Sequence, residues 1–290
     1  MFRAFSCWRR LVGLFAVIAV ASLAPSVPAA DQKPTIPIIV KDTTTYFWQI
    51  VLAGASAGKD LDVNVPQLGA QSESYINGQI SILENAVSSK PAAIVIAPTQ
   101  FKALGKPIDE AAIAAKYGKP EGQVALITSI PGVGSLDQRA KGFKEQLAAK
   151  YPGLKLVADK VADGMPTTGL NIMTDLITAN PDLRGVFASN LTMAQGTGQA
   201  IAENKVSDKI MLVGFDSDDK TVKLLADGNI KALVVQDPFR MGYEGIKTAL
   251  AASKGEKVPE NVDTGVNLIT KENMNSERSK ELLTPDVKKY

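Results

Sequence analysis

The chain has 290 residues, with 32 lysines and arginines against 30 aspartates and glutamates, a single cysteine and no histidine. Without histidine the commonest general base near neutral pH, the Ser-His and Cys-His arrangements and the usual zinc ligand are gone, so most hydrolases are disfavoured while carboxylate or lysine chemistry stays open. The near balance of charge favours neither nucleic acid nor an anionic membrane as a partner.

The first segment reads as a secretory signal peptide over residues 1–29. Arg3, Arg9 and Arg10 precede an apolar run from Leu11 to Leu23, and the stretch closes on Ser26-Val27-Pro28-Ala29-Ala30. The rival reading is a membrane anchor, but the apolar run is shorter than the roughly 20 residues a spanning helix needs. Cys7 lies ahead of the apolar core and is unsuited to a lipid anchor at the processing site. Cleavage would leave 29 basic residues of the original 32, against 30 acidic, and no cysteine for a disulfide.

Beyond the leader, Ile36 to Val40 opens the folded part as a short strand whose prolines predict an edge or an exposed end. A helix follows over Tyr46–Lys59, then a strand over Leu61–Val65. The next helix, over Tyr75–Val87, carries Ile76, Ile80, Leu83 and Val87 at helical spacing, and Ala92–Ala97 reads as a buried parallel strand. The alternation continues with a helix near Leu104–Tyr117 and strands at Val124–Thr128, Leu154–Ala158, Gly185–Ala188, Ile210–Phe215 and Lys231–Gln236. Helices fall between them at Asp137–Lys150, Thr167–Ala179, Met193–Asn204 and Asp218–Ala226, and a last one at Gly242–Lys254. This rhythm predicts an α/β fold of parallel sheets flanked by helices, and periodicity alone leaves one sheet or two open.

Ligands in such folds bind beyond the carboxyl ends of the strands. That rule selects the loops at Thr43–Trp48, Pro98–Phe101, Ser129–Arg139, Ser189–Met193, Asp216–Asp219 and Gln236–Arg240. Phe47 and Trp48 would cover the apolar face of a sugar ring or simply pack into the core. Pro131-Gly132-Val133-Gly134-Ser135 reads as a turn and helix cap, with anion binding at the helix start as the alternative. Asp218 or Asp219 would start a helix and Asp216 would face the cleft. Asp237 and Arg240 would pair on a surface.

Several segments, in this order and spacing, resemble the periplasmic sugar-binding proteins of ABC importers, in the branch that is similar to the ribose-binding protein. They are Thr45-Tyr46-Phe47-Trp48, Ile94 to Thr99, Gly134 to Phe143, Gly169 to Met173, Val186 to Asn190, Val213-Gly214-Phe215-Asp216 and Val234-Val235-Gln236. The resemblance implies a two-lobe periplasmic binding protein of type I, with lobe I from 34–112 and 237–262 and lobe II from 118–236 and 263–290. It implies stacking by Phe47 and Trp48 and hydroxyl contacts from Thr45, Arg139, Asn190, Asp216 and Gln236. Thr45 stands where a relative has asparagine, Gly164 where a ring-covering aromatic occurs, and Leu191 where aspartate is common.

The same resemblance exposes a gap. Leu104 to Ala112 reads like an early lobe I helix and Ile113 to Tyr117 like the tail of a much later one. About 40 residues, including a fourth strand and a hinge crossing, are expected to be missing near residue 112, which simple βα spacing does not reveal. Lobe I is therefore expected to be incomplete, less stable and weaker in ligand binding than that of a full-length relative.

The function implied is reversible binding of a monosaccharide or polyol in the periplasm by a monomer, and its delivery to an ABC transporter permease, with no cofactor, no metal and no catalysis. The alternatives are a carboxylate-dependent enzyme acting on a sugar derivative and a sugar-sensing module for a chemoreceptor or kinase.

Overall fold

The computed structural model describes residues 33–73, 75–97 and 121–285. The expected leader, the loop after Ala97 and the expected helix and junction near residue 112 lie outside them. No helix among the described residues is long and apolar enough to cross a membrane.

The fold is a two-lobe α/β arrangement built on two separate sheets. In the first, β1 (Ile38–Val40) lies between β2 (Gln67–Gly69) and β3 (Val95–Ile96), all parallel. Its three apolar side chains are buried, as a strand covered on both faces requires. Helix α1 (Tyr46–Ala57) and helix α7 (Pro238–Ser253) cover it together. Val51, Leu52 and Ala55 of the first join Ile246 and Leu250 of the second in one core with Ile36, Ile38 and Val40. The two helices approach so closely that a Cβ on Gly54 would lie 1.9 Å from the Phe239 carbonyl oxygen, and one on Gly242 would lie 1.9 Å from that of Val51.

The second sheet has six strands in the order β5-β4-β6-β7-β8-β9. They are β4 (Gly122–Thr128), β5 (Leu154–Val161), β6 (Leu183–Ala188), β7 (Met211–Phe215), β8 (Ala232–Gln236) and β9 (Val266–Thr270). All pairs are parallel except β8 with β9. Alternate residues of β4 enter opposite cores. Ala125 and Ile127 pack with Met173 of α4 (Pro166–Ala179) and Met193 of α5 (Leu191–Glu203). Leu126 faces Ala140 of α3 (Gly134–Lys150) together with Phe187 and Phe215. Helix α6 (Asp219–Ala226) adds Leu224 and Leu225 to the first of these cores.

Several expectations need correction. The opening strand is central in its sheet, because Pro37 sits just ahead of β1 and its carbonyl accepts from Val95 where the pairing with β3 begins. No strand runs over Leu61–Val65. A 3-10 turn at Gly58–Leu61 and the left-handed backbone of Asp62 (φ 60°) redirect the chain, and regular pairing starts only after Pro66. The Ala92–Ala97 strand shrinks to two residues at a sheet edge, where Ile96 is 36% exposed. Helix α2 (Ile76–Ser88) forms as expected, yet Ile80 and Val87 of its apolar stripe are 49% and 56% exposed. Helix α7 starts at Pro238 rather than Gly242. Strand β9 and helix α8 (Glu277–Leu283) were not expected at all, and Leu282 and Leu283 of the latter are core residues.

Candidate functional site

A cavity of about 510 Å³ opens between the two sheets, and all seven residues singled out from the sequence line it. The side facing the first sheet carries Thr45, Phe47 and Trp48, from the loop after β1 and the first turn of α1. The opposing side carries Arg139, Asn190, Asp216 and Gln236, at or beyond the ends of β4, β6, β7 and β8. Parallel strands place these loops at one edge of the sheet, which is why residues so far apart in sequence converge.

Asp216 is the most constrained of them. It adopts φ 63°, a left-handed conformation that few non-glycine residues occupy and that the surroundings must enforce. Its N–H donates to the Val234 carbonyl at 2.8 Å, and its Oδ1 accepts from Gln236 Nε2 at 2.9 Å. Arg139 Nη1 donates to the Ser189 carbonyl at 2.8 Å, while its guanidinium carbon lies 3.5 Å from the centroid of the Phe215 ring. Burial pushes the Asp216 carboxyl above its ordinary value, and Arg139 and the Gln236 bond pull in the opposite direction. Burial likewise lowers Arg139 from its usual value, opposed by Asp216 and Glu73. Asn190 caps α5, its Oδ1 accepting from the Met193 N–H at 3.2 Å.

On the other side Trp48 lines the cavity yet is only 8% exposed and belongs to the core of the first sheet. Phe47 meets it edge-on, with centroids 4.9 Å apart and planes at 89°. The Thr45 hydroxyl is spent on Asp42 Oδ2 at 2.8 Å, while Asp42 Oδ1 takes the Thr44 and Thr45 N–H groups.

Four charged residues of the cavity, Lys41, Asp42, Glu73 and Asp163, escaped the sequence reading. Lys41 follows β1 directly, is 6% exposed, and donates to Ser135 Oγ at 3.0 Å across the cleft. Burial lowers its pKa, partly offset by Glu73. The strand-end rule would have found it had the loop been started two residues earlier. Glu73, in the turn before α2, accepts from Trp48 Nε1 at 2.6 Å, and nothing in the periodicity marked it. Lys41 and Arg139 share the cavity wall with four carboxylates, Asp42, Glu73, Asp163 and Asp216, so acidic groups outnumber cations there. Ser129, also in its wall, is 1% exposed, and its Oγ has no hydrogen-bond partner among the described residues.

The remaining expectations divide. Asp218 is the helix-start residue, in a capping box with Thr221. The segment around Gly132 is a turn leading into α3. Asp237 does not form an ion pair with Arg240. It accepts that residue's backbone N–H as the cap of α7 and pairs with Arg278 Nη2 at 2.6 Å. The described residues hold no group of three or more His, Cys, Asp or Glu side chains placed to bind a metal ion.

The family model described as a periplasmic binding protein domain matches residues 111–257. The chain belongs to the periplasmic binding protein family. A carbohydrate transporter solute-binding protein from Agrobacterium radiobacter, solved in complex with D-arabinose, is 60% identical. It covers 88% of this binding protein, is itself covered completely, and superposes with a TM-score of 0.82. A ribose import binding protein of Escherichia coli is 35% identical over 160 residues, 55% of this chain and 53% of that protein. The chain thus spans about half the length of the curated ribose import proteins it matches. A D-ribose/D-allose-binding protein of Pseudomonas aeruginosa is 26% identical, covering 90% of this chain and 98% of that protein. That pairing extends over 314 positions, more than this binding protein has residues, so the relative contains residues with no counterpart here.

Proposed function

We propose that this protein binds a neutral monosaccharide or polyol reversibly in the periplasm, as a monomer, and delivers it to an ABC transporter permease without chemical change. The observation that carries the reading is the construction of the cavity. One side presents the Phe47 and Trp48 aromatics, and the other presents Arg139, Asn190, Asp216 and Gln236. A sugar has a C–H face and a rim of hydroxyls, so it is matched by a flat apolar platform and by groups that donate and accept around it. Four carboxylates against two cations in the lining disfavour an anionic ligand and suit one that offers hydroxyl donors. The relatives that bind D-arabinose, or that take their names from ribose and D-allose, point to the same class.

An enzymatic role for Asp216 is disfavoured by its commitments. Its carboxylate accepts from Gln236 and faces Arg139, a permanent cation, which commits it to holding a ligand in place.

The lobe division proposed is 34–112 with 237–262, and 118–236 with 263–290. It is supported by the packing of α7 on α1 and by the pairing of β9 with β8. Shortening near residue 112 is proposed as the place where the longer relatives carry extra chain, in agreement with a first sheet of only three short strands among the described residues.

Thermal unfolding in the presence of D-arabinose, D-ribose and D-allose, with chromatography of each sugar afterwards, tests the function. A ligand that binds only the native state raises the midpoint as its concentration exceeds the dissociation constant. A raised midpoint with unaltered sugar supports the reading, and conversion of the sugar overturns it. Deletion of the gene should abolish uptake of the bound sugar; unimpaired uptake would favour a sensory role.

A further inference from the structure

We infer that Glu73 is both a positioning and a specificity-determining residue of the cleft: its Oε1 fixes the Trp48 indole and its Oε2 accepts a hydroxyl of the bound ligand. The inference rests on the sugar-binding reading above and names a contact that reading does not contain.

The indole N–H is a donor only, and a buried one needs an acceptor. Here the acceptor is the carboxylate of Glu73, 2.6 Å from Trp48 Nε1, a short charge-assisted bond that sets the rotation of the ring in its own plane. Phe47 holds the ring edge-on and Lys41 Nζ lies 5.6 Å from its centroid, so three neighbours define the platform. Trp48 sits in the first turn of α1 and Glu73 in the turn ahead of α2, so the bond also ties two segments of the first lobe together.

The second oxygen carries the specificity. Glu73 lines the cavity and is only partly buried, and its Oε2 has no hydrogen-bond partner among the described residues. Asp42, the other carboxylate on that side, is different: both its oxygens are occupied by Thr44 and Thr45. Glu73 therefore supplies the open acceptor on the aromatic side. An ionised carboxylate accepts only, so it selects a ligand that presents an O–H beside the edge of the indole.

The sequence contains two tryptophans, and Trp8 falls in the expected leader, so a parent expressed from Ala30 carries Trp48 as its single tryptophan. In that parent, Glu73→Gln and Glu73→Ala are compared by tryptophan emission, acrylamide quenching and titration calorimetry with D-arabinose, D-ribose and D-allose. Glu73→Gln keeps an acceptor for the indole and loses the charge, so emission stays in place while affinity falls about tenfold. Glu73→Ala frees the ring, so emission moves to the red, quenching rises and affinity falls further. Affinity equal to the parent's in both variants overturns the inference, whatever the emission does, and leaves the sugar-binding reading standing. A parent that binds none of the three sugars overturns that reading and this inference with it.

Discussion

Arg139 Nη1 and Asp216 Oδ2 stand 4.0 Å apart, near enough to attract and too far to form a hydrogen bond. Each is anchored from behind, Arg139 by the Ser189 carbonyl and the Phe215 ring, Asp216 by Gln236 and its own backbone. The pair is thus held in position without being closed on itself, and a hydroxyl arriving in the cavity can donate to one member and accept from the other.

Truncating either member should weaken sugar binding strongly. Arg139→Ala and Asp216→Ala are each expected to cost about 2–5 kcal/mol, because each leaves its partner buried and uncompensated. Titration calorimetry on the purified variants measures this, and parental affinity in both would place the ligand elsewhere.

The pH dependence follows from the raised carboxyl of Asp216, whose dominant cause is burial. A folded pKa above the unfolded value means that the fold favours the protonated form. That contribution to stability is present below the ordinary value of 3.8 and is lost as pH rises through the raised folded value. With Asp216 in its proposed role as an ionised acceptor, affinity should decline as pH is lowered through the same raised value. Asp216→Asn should flatten both trends; an unchanged affinity profile in that variant would assign the dependence to another group.

Trp48 serves the core and the cavity at once. Trp48→Ala should therefore destabilise the first lobe by about 3–5 kcal/mol as well as weaken binding. Trp48→Phe keeps a flat ring and should be milder on both counts, though it gives up the bond to Glu73. Denaturant unfolding and calorimetry on the same samples separate the two effects, and a stable, non-binding Trp48→Ala would show that the side chain is not a core element.

The crossing of α1 and α7 depends on Gly54 and Gly242, where an added Cβ would collide with backbone carbonyl oxygens. Backbone cannot rotate away as a side chain can, so Gly54→Ala and Gly242→Ala should each cost about 1–3 kcal/mol. Unfolding midpoints equal to the parent's would show that the helices separate freely.

The βα rhythm was legible because β4, β6, β7 and β8 are short, continuous apolar runs covered on both faces, and their ends located Asp216 and Gln236 directly. The first sheet was less legible. A 3-10 turn and a left-handed aspartate interrupt an apolar alternation that looks like a strand, and the helical stripe through Ile80 and Val87 does not find full cover. Glu73 could not be found from its own neighbourhood, since its role comes from a tertiary bond to an indole 25 residues away. Strand β9 was missed because it pairs antiparallel after a long irregular connection, outside the alternation that revealed the others.

Unequal cover should appear as unequal stability. Strands β1 to β3 contain three, three and two residues, and β3 exposes Ile96, whereas the second sheet buries two full layers of apolar side chains. Native-state hydrogen exchange should therefore show faster opening across 36–97 than across 122–236. Uniform protection in both would refute the difference.

Titration calorimetry of the purified protein with D-arabinose, D-ribose and D-allose tests the central claim most directly. Saturable heat fitting one sugar per chain, abolished or strongly weakened in Arg139→Ala and Asp216→Ala, is the result expected. No heat with any of the three sugars, or binding that survives unchanged in both variants, would contradict the cleft as a sugar site.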